Sequence, residues 1–236
     1  MDTALPADLH KSSNVRSSSF QRVLYENGLS IVLLSTFLAL WWAQTFTGWK
    51  VFNAQQKEHG EAAITYAQYF RTGHFVEATA ENWESEFLQM AAFVWLAVHL
   101  RQKGSPESKP IEGDEDVDRD PDRSRAGAPW PVRRGGIWVR VYSHSLTWAF
   151  LLMFLISFLL HAAGGAREYS QDQIAHGQAA VSMRQFMGTA EFWFQSMQNW
   201  QSEFLAIAMM VLLSIWLRQK GSPESKPVDA SHDDHE

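Results

Sequence analysis

Two long segments of this chain carry no charged side chain. Residues 27–49 and 141–166 contain no Asp, Glu, Lys or Arg and are rich in Leu, Phe, Ile and Trp. A helix crosses the apolar part of a bilayer in about 20 residues, and both segments are that long. Because lipid offers no partner to an unpaired backbone group, a segment that crosses it must be helical or part of a closed barrel. We therefore predict an all-α membrane protein.

Two shorter apolar blocks, 87–100 and 204–217, are 14 residues long each. Extended by the residues before them, they add two more predicted transmembrane helices, and the four spans fall at about 28–48, 83–101, 143–164 and 198–218. The predicted order along the chain is a disordered N-terminal arm (1–21), a first hairpin repeat (22–103), a disordered acidic linker (104–136), a second hairpin repeat (137–220) and a disordered tail (221–236).

The two predicted hairpins are copies of one unit. The peptide LRQKGSPESKP occurs at 100–110 and again at 217–227, and aligning 25–110 with 142–227 gives 34 identities in 86 positions without a gap. Self-similarity of this extent indicates an internal duplication. A unit with two spans returns to its starting side, so both copies enter the membrane in the same direction. The prediction is a four-helix bundle of two tandem, parallel-repeat hairpins with a pseudo-two-fold axis along the membrane normal.

The distribution of Lys and Arg predicts the orientation. Fifteen of these residues lie between 11 and 22, between 101 and 140 or between 218 and 226, at one end of the predicted spans, and only five lie in the two loops within the hairpins. The positive-inside rule therefore predicts a multi-pass protein with both termini in the cytoplasm. A cytoplasmic collar of basic residues follows the second helix of each hairpin, formed by Arg101, Lys103, Arg218 and Lys220. The doubled GSPESKP after it is either a polar stop sequence or a docking site for a cytoplasmic partner.

The loops inside the hairpins, about 33 residues each, are predicted to form short amphipathic helices on the outer membrane surface. Gly60 and Gly177 are predicted to end a polar helical stretch in each copy. The pairs Thr65–Gln68 and Ser182–Gln185 fit a capping box, in which a hydroxyl caps a helix and a Gln three residues later caps in return. A further pair, Thr72 and Thr189, is predicted to cap the helices that lead into the second spans.

The motif Asn-Trp-x-Ser-Glu-Phe-Leu is the most specific pattern that both loops share. It places Glu86 and Glu203 at or just below the outer membrane boundary, each on one helix face with Asn82 or Asn199 four residues earlier. Ionisable groups at that depth suggest function, and two facing carboxylates could hold a proton or cation. The alternative is that each Asn is a helix N-cap, each Glu complements the helix dipole, and the Trp residues (Trp83 and Trp200) lie at the interface.

Few other residues suggest chemistry. His59 and His176 occupy equivalent positions before a Gly, where a His usually pairs with the end of a helix; a metal or proton site shared with the two Glu is the minority interpretation. The chain has no Cys, which excludes disulfides and thiolate metal sites. No Ser/His/Asp set, Gly-rich phosphate loop or HExxH motif is present. We therefore predict no enzymatic activity and no cofactor, and no nucleic-acid partner.

The repeated motifs also carry a family resemblance. The segments YENGLS, ENWESEFLQ, NWQSEFLA and RQKGSPESKP, with the two HG pairs, resemble a family of small bacterial integral membrane proteins that is known only as a domain of unknown function. One departure within the motif is Glu84, where the second copy has Gln201. The resemblance covers both repeats and implies a bacterial plasma (inner) membrane location. It implies no activity, substrate or catalytic residue.

Two functions remain open from the sequence. The first is a non-enzymatic scaffold or accessory subunit, whose partners are the lipid bilayer and a membrane protein, a cytoplasmic protein or a second copy of itself. The alternative is a small proton- or cation-coupled transporter or channel that uses the paired Glu86 and Glu203.

Overall fold

The computed structural model describes residues 19–113 and 115–232, and all regular structure in that part of the chain is helical. Residues 1–18 of the predicted N-terminal arm lie outside the described residues. We number the helices α1 (Ser19–Glu58), α2 (Tyr66–Tyr69), α3 (Gly73–His99), α4 (Trp130–Arg134), α5 (Ile137–Ser143), α6 (Ser145–Ala175), α7 (Met183–Phe186) and α8 (Ala190–Trp216), and a short 3₁₀ turn lies at Asp116–Asp118.

The chain divides into two compact units, Met1–Ala54 and Gln55–Glu236. The first consists, in its described part, of α1 up to residue 54. This helix bends at Asn27, whose backbone leaves the helical region (φ −124°) while its side-chain Nδ2 donates to the carbonyl of Val23 at 3.1 Å. The local side-chain bond competes with the helical ladder, which is a common cause of such a bend.

The second unit is built on the close packing of α3 along α6, with α8 against both. Glycines permit this approach. A Cβ on Gly164 would come within 2.6 Å of the backbone nitrogen of Glu77, and one on Gly73 within 2.7 Å of the Gly164 carbonyl oxygen. Small residues that allow two helix backbones to meet are typical of helix contacts inside membranes. An apolar core of Ala162, Ala166, Phe186 and Phe192 lies beside this contact.

Within the described part of the chain, two helices are long and apolar enough to cross a membrane, the segment Gln21–Glu58 of α1 and the whole of α6. The outer face of α6 exposes large apolar side chains to its surroundings, including Trp148 (59%) and Leu152 (58%). A contiguous apolar face of this kind is rare on a soluble monomer and suits contact with lipid. Helices α3 and α8 are 27 residues each but do not reach the same hydropathy, because polar side chains interrupt their first halves.

Some predicted helix starts and caps are confirmed. Thr72 and Thr189 are the N-caps of α3 and α8, and their hydroxyls accept hydrogen bonds from the backbone N–H of Phe75 and Phe192. Both predicted capping boxes are present as well, at the starts of α2 and α7. Gly60 and Gly177 adopt the same positive φ of 75° where α1 and α6 end.

Other local predictions are wrong. The polar stretches before Gly60 and Gly177 do not form separate surface helices; they continue α1 and α6 without interruption, because no residue between the apolar and polar halves breaks the helix. The alternative that α3 and α8 begin at Asn82 and Asn199 is also wrong. Both Asn lie inside a helix, and each Nδ2 donates to the carbonyl four residues earlier, Ala78 or Gln195.

The segments 104–136 and 221–232, for which the sequence predicts disorder, form hydrogen-bonded turns, and α4 lies within the first of them. Polar side chains bind the turns to one another. The ammonium of Lys109 pairs with the carboxylate of Asp118, and the backbone N–H of Ser124 donates to Oδ1 of Asp122 at 2.8 Å. These local bonds require no apolar core, which is why a pattern of hydrophobicity does not reveal them.

Candidate functional site: a buried polar network

Ionisable side chains from α3 meet a histidine of α6 in the interior of the second unit. Three glutamates of α3, Glu77, Glu81 and Glu84, follow one another at helical spacing and therefore share one face. That face is turned to α6, where His161 lies within an otherwise apolar helix. The side chains of Glu84 and His161 are both fully buried.

Glu84 and His161 bind each other directly. Nδ1 of His161 lies 2.8 Å from Oε2 of Glu84, and the indole N–H of Trp200 donates to the other carboxyl oxygen, Oε1, at 2.9 Å. The ring of Phe192 stacks on the imidazole with a centroid distance of 4.8 Å. Every polar atom of the Glu84 carboxyl thus has a protein partner, while the surroundings of the pair are aromatic.

Gln195 of α8 determines which nitrogen of His161 carries a hydrogen. Its amide Nε2 donates to Oε1 of Glu77 at 2.9 Å and to Oε1 of Glu191 at 3.3 Å, so its carbonyl oxygen faces Nε2 of His161 at 3.1 Å. A carbonyl oxygen only accepts hydrogen bonds, and hence Nε2 of His161 must be the donor. A single proton then remains to be shared between Nδ1 of His161 and Oε2 of Glu84.

This arrangement can hold a proton in two forms. Either the imidazole is charged and faces a carboxylate, or a neutral imidazole accepts a hydrogen bond from a protonated carboxyl group. The pair has the same total charge in both forms, so the proton can change sides without exposing a net charge to the apolar interior. A buried acid–base pair with a complete set of hydrogen bonds is therefore suited to holding or relaying a proton.

The network continues towards the surface. From the fully buried His161 it passes to the half-buried Gln195, whose amide Nε2 donates both to the half-buried Glu77 and to the exposed Glu191. Oε2 of Glu81 lies 4.0 Å from Nε2 of His161 and adds a second carboxylate to the same side. The chain of polar groups thus connects the buried Glu84–His161 pair with the exposed Glu191 of α8.

The predicted pair Glu86 and Glu203 lies outside this network, although their carboxyl groups are within hydrogen-bonding reach of each other. Glu86 is exposed and Glu203 is half-buried. The duplicated Glu residues therefore face each other across α3 and α8. Asn82 and Asn199, predicted to share a face with them, bind their own helix backbones.

The remaining sequence-selected residues are dispersed. Trp200 belongs to the network, whereas its copy Trp83 is half-buried elsewhere on α3. His176 caps α6 and its Nδ1 donates to the carbonyl of Asp172 at 2.8 Å; His59, after α1, is exposed. Among residues 19–113 and 115–232, no group of three or more His, Cys, Asp or Glu side chains could hold a metal ion.

The basic collar closes the ends of α3 and α8. The guanidinium of Arg101 donates to the carbonyls of Val98 and Leu100, and that of Arg218 to those of Ile215 and Leu217. Positive side chains in these positions satisfy the last carbonyls of a helix and complement its dipole. Lys103 and Lys220, two residues further on, are exposed.

The doubled peptide folds identically in both copies. Ser108 and Ser225 accept hydrogen bonds from the backbone N–H of Gln102 and Gln219, at 2.7 and 2.9 Å, and Gly104 and Gly221 share a φ of 86°. The two folded copies also lie side by side, and line a cavity of about 270 Å³ between them.

Where the copies meet, burial and the adjacent Glu224 carboxyl raise the pKa of Glu107 from 4.5 to about 7. The folded protein therefore binds more protons than the unfolded chain between these two values, and its stability falls as the pH rises from about 4.5 to about 7. We expect the melting temperature to fall across this range in the wild type, and to fall less in Glu107→Gln. The exposed Glu112→Gln variant is the control and should follow the wild type. Parallel curves for all three proteins would contradict this assignment.

The central residues of the network were not among the predicted site residues, because the prediction selected residues that are identical in the two repeats. Glu84 aligns with Gln201, His161 with Gln44 and Gln195 with Ala78, so these three residues lie where the copies differ. The available signals were a lone His in an uncharged apolar segment and the difference between Glu84 and Gln201. Glu77 aligns with Phe194 and shows the same pattern.

The fold and the network define an all-helical protein with candidate membrane-spanning helices and a buried acid–base pair. Residues 20–236 match the family described as Domain of unknown function (DUF6766), and the chain belongs to that family. No curated protein and no solved structure matches the chain.

Proposed function

We propose that this protein is a four-span integral membrane protein that binds and relays a proton through Glu84 and His161, in the class of small proton-coupled transporters or channels. The observation that carries the proposal is the fully buried Glu84–His161 pair, whose two protonation forms have equal total charge. Charged groups inside a membrane bundle are energetically expensive and usually mark an ion or proton pathway. No enzymatic step is part of this function.

Helix lengths support four spans. Helices α3 and α8 have 27 residues each and are about 40 Å long, which exceeds a bilayer core of about 30 Å. The polar residues that lower their hydropathy include Glu84 and Gln195, which point to the network and not to lipid. With both termini in the bacterial cytoplasm, as the distribution of Lys and Arg predicts, His161 lies about 24 Å along α6 from its cytoplasmic start and thus in the outer part of the bilayer.

Proton flux into vesicles tests the proposal. The full chain is reconstituted into liposomes that contain a pH-sensitive dye, and a potassium diffusion potential drives protons inward. We expect acidification above that of protein-free vesicles and a loss of about tenfold or more in Glu84→Gln, since the amide cannot exchange the shared proton. Gln201→Ala, at the equivalent position of the second repeat, is the matched control and keeps the flux. A wild-type flux equal to that of empty vesicles, or a flux that Glu84→Gln leaves unchanged, contradicts the proposal.

The same assay separates the two carboxylate sites. A combined Glu86→Gln and Glu203→Gln variant removes the duplicated pair and leaves the buried network intact. If the network is the proton site, this variant retains the wild-type flux. If this variant loses the proton flux and Glu84→Gln does not, the duplicated pair and not the buried network is the proton site.

The scaffold or accessory subunit is the second candidate function, and the paired, identically folded copies of the GSPESKP peptide favour it. A cytoplasmic protein, a membrane protein or a second copy of this chain is the expected partner. This candidate predicts no proton flux and a reproducible complex in mild detergent. A protein that purifies alone and does not self-associate would exclude it.

A further inference from the structure

A cavity of about 650 Å³ lies in the second unit, between the loop that precedes α3, the outer half of α6 and the start of α7. It does not overlap with the proton network. Two arginines, Arg71 and Arg167, line it together with Gln68 and Gln171. The lining contains no Asp or Glu, although the chain as a whole has a net charge of −6.

Both guanidinium groups are available to a ligand. Arg71 and Arg167 are exposed, and within the described residues neither side chain makes a hydrogen bond or an ion pair. By contrast, Arg218 binds helix-end carbonyls, and Lys109 pairs with Asp118. Two arginines that line one cavity, without a protein partner among the described residues, can supply the paired N–H donors that a phosphate accepts.

The other wall of the cavity is apolar. Ile64, Ala163, Val181 and Met183 line it, and they provide contact area for hydrocarbon beside the two cations. A free inorganic anion has no apolar surface to bury against these side chains, whereas the glycerol and first acyl carbons of a lipid would cover them. The ligand chemistry is therefore a phosphate group attached to an apolar body.

The position along the chain agrees with a lipid head group. Arg167 is the first charged residue after the uncharged segment 141–166, so it marks the outer end of the α6 span. Head-group phosphates occupy that level on either side of a bilayer, and arginines there can bind a phosphate through paired, charge-assisted hydrogen bonds. We infer that this cavity is a specific binding site for the phosphate head group of an anionic phospholipid, held by Arg71 and Arg167. The inference depends on the proposed membrane placement but not on proton transfer.

Native mass spectrometry of the full chain in mild detergent tests this inference, with phosphatidylglycerol, phosphatidylcholine of the same acyl chains, and inorganic phosphate as three separate probes. We expect the wild type to retain phosphatidylglycerol. The combined Arg71→Gln and Arg167→Gln variant should bind this lipid with an affinity lower by about tenfold or more, as the loss of a charge-assisted hydrogen bond predicts. Arg184→Gln, an exposed arginine of α7 outside the lining, is the matched control and keeps wild-type binding.

Further variants separate folding and function from binding. Arg71→Lys with Arg167→Lys keeps the charge and should retain part of the affinity if the variant is folded. Glu84→Gln should bind phosphatidylglycerol like the wild type, so failure of the proton proposal would leave this one intact. Equal retention of both lipids, unchanged lipid binding in the double Gln variant, or phosphate binding as tight as that of phosphatidylglycerol would each overturn the lipid site.

Discussion

Replacing Glu84 with Ala is expected to lower the free energy of unfolding by about 2–4 kcal/mol. Breaking a buried ion pair typically costs about 3–5 kcal/mol, whereas the loss of one interhelical hydrogen bond in a membrane protein costs about 1 kcal/mol, and the expected value lies between the two. The truncation removes the hydrogen-bond partner of two groups at once, the buried imidazole of His161 and the half-buried indole of Trp200. The measurement is equilibrium unfolding in mixed detergent micelles, followed by tryptophan fluorescence.

The repeat provides the matched control for this experiment. Gln201 occupies the position equivalent to Glu84 in the second copy and is exposed, so Gln201→Ala should change the free energy of unfolding by less than about 0.5 kcal/mol. A second variant, Glu84→Leu with His161→Phe, removes both members of the pair and should recover part of the loss, because no unpaired ionisable group is left in the interior and only the partners of Trp200 and Gln195 are lost. Equal effects of Glu84→Ala and Gln201→Ala would show that the pair does not stabilise the bundle.

Adding one methyl group at Gly164 is the second change with a large expected effect. The new Cβ would lie 2.6 Å from the backbone nitrogen of Glu77 and 3.0 Å from Val76 Cβ, so α3 and α6 must separate to admit it. Forcing extra atoms into a close-packed contact typically costs about 1–3 kcal/mol. We expect Gly164→Ala to unfold at a correspondingly lower denaturant concentration in the same assay.

Gly28 in α1 is the control glycine. A Cβ there meets no atom within 4 Å, and so Gly28→Ala should leave stability unchanged or raise it by about 0.5–1 kcal/mol through helix propensity. The effects of Gly164→Ala and Glu84→Ala should also be non-additive, because the glycine sets the separation of the two helices that carry the buried pair. Additive effects, or a stable Gly164→Ala, would show that the close approach is not required.

Much of the helical architecture was predictable from local signals. Uncharged apolar segments predicted α1 and α6, and the hydroxyls of Thr72 and Thr189 predicted where α3 and α8 begin. The Thr65 and Ser182 capping boxes were recognisable because all their partners lie within three residues. Local interactions of this kind are encoded in short windows, which is why they can be inferred without knowledge of the fold.

The candidate site was not predictable in the same way. Duplication directed attention to Glu86 and Glu203, which both copies share, whereas the buried network uses Glu84, His161 and Gln195, which only one copy has. The bonds of Glu84 to His161 and Trp200 join residues separated by 77 and 116 positions. No local pattern contains such a separation. A duplicated sequence reveals what the copies have in common, and function can instead reside where they differ.

The sequence by itself determined that the chain is helical, that its apolar surface suits lipid, and where its helices are capped, because each of these properties depends on residues a few positions apart. Only the tertiary structure decided which polar side chains become partners. The approach of α3 to α6 at Gly164 brings Glu84 and His161 together, and burial then makes their shared proton the least costly way to keep both groups in an apolar interior.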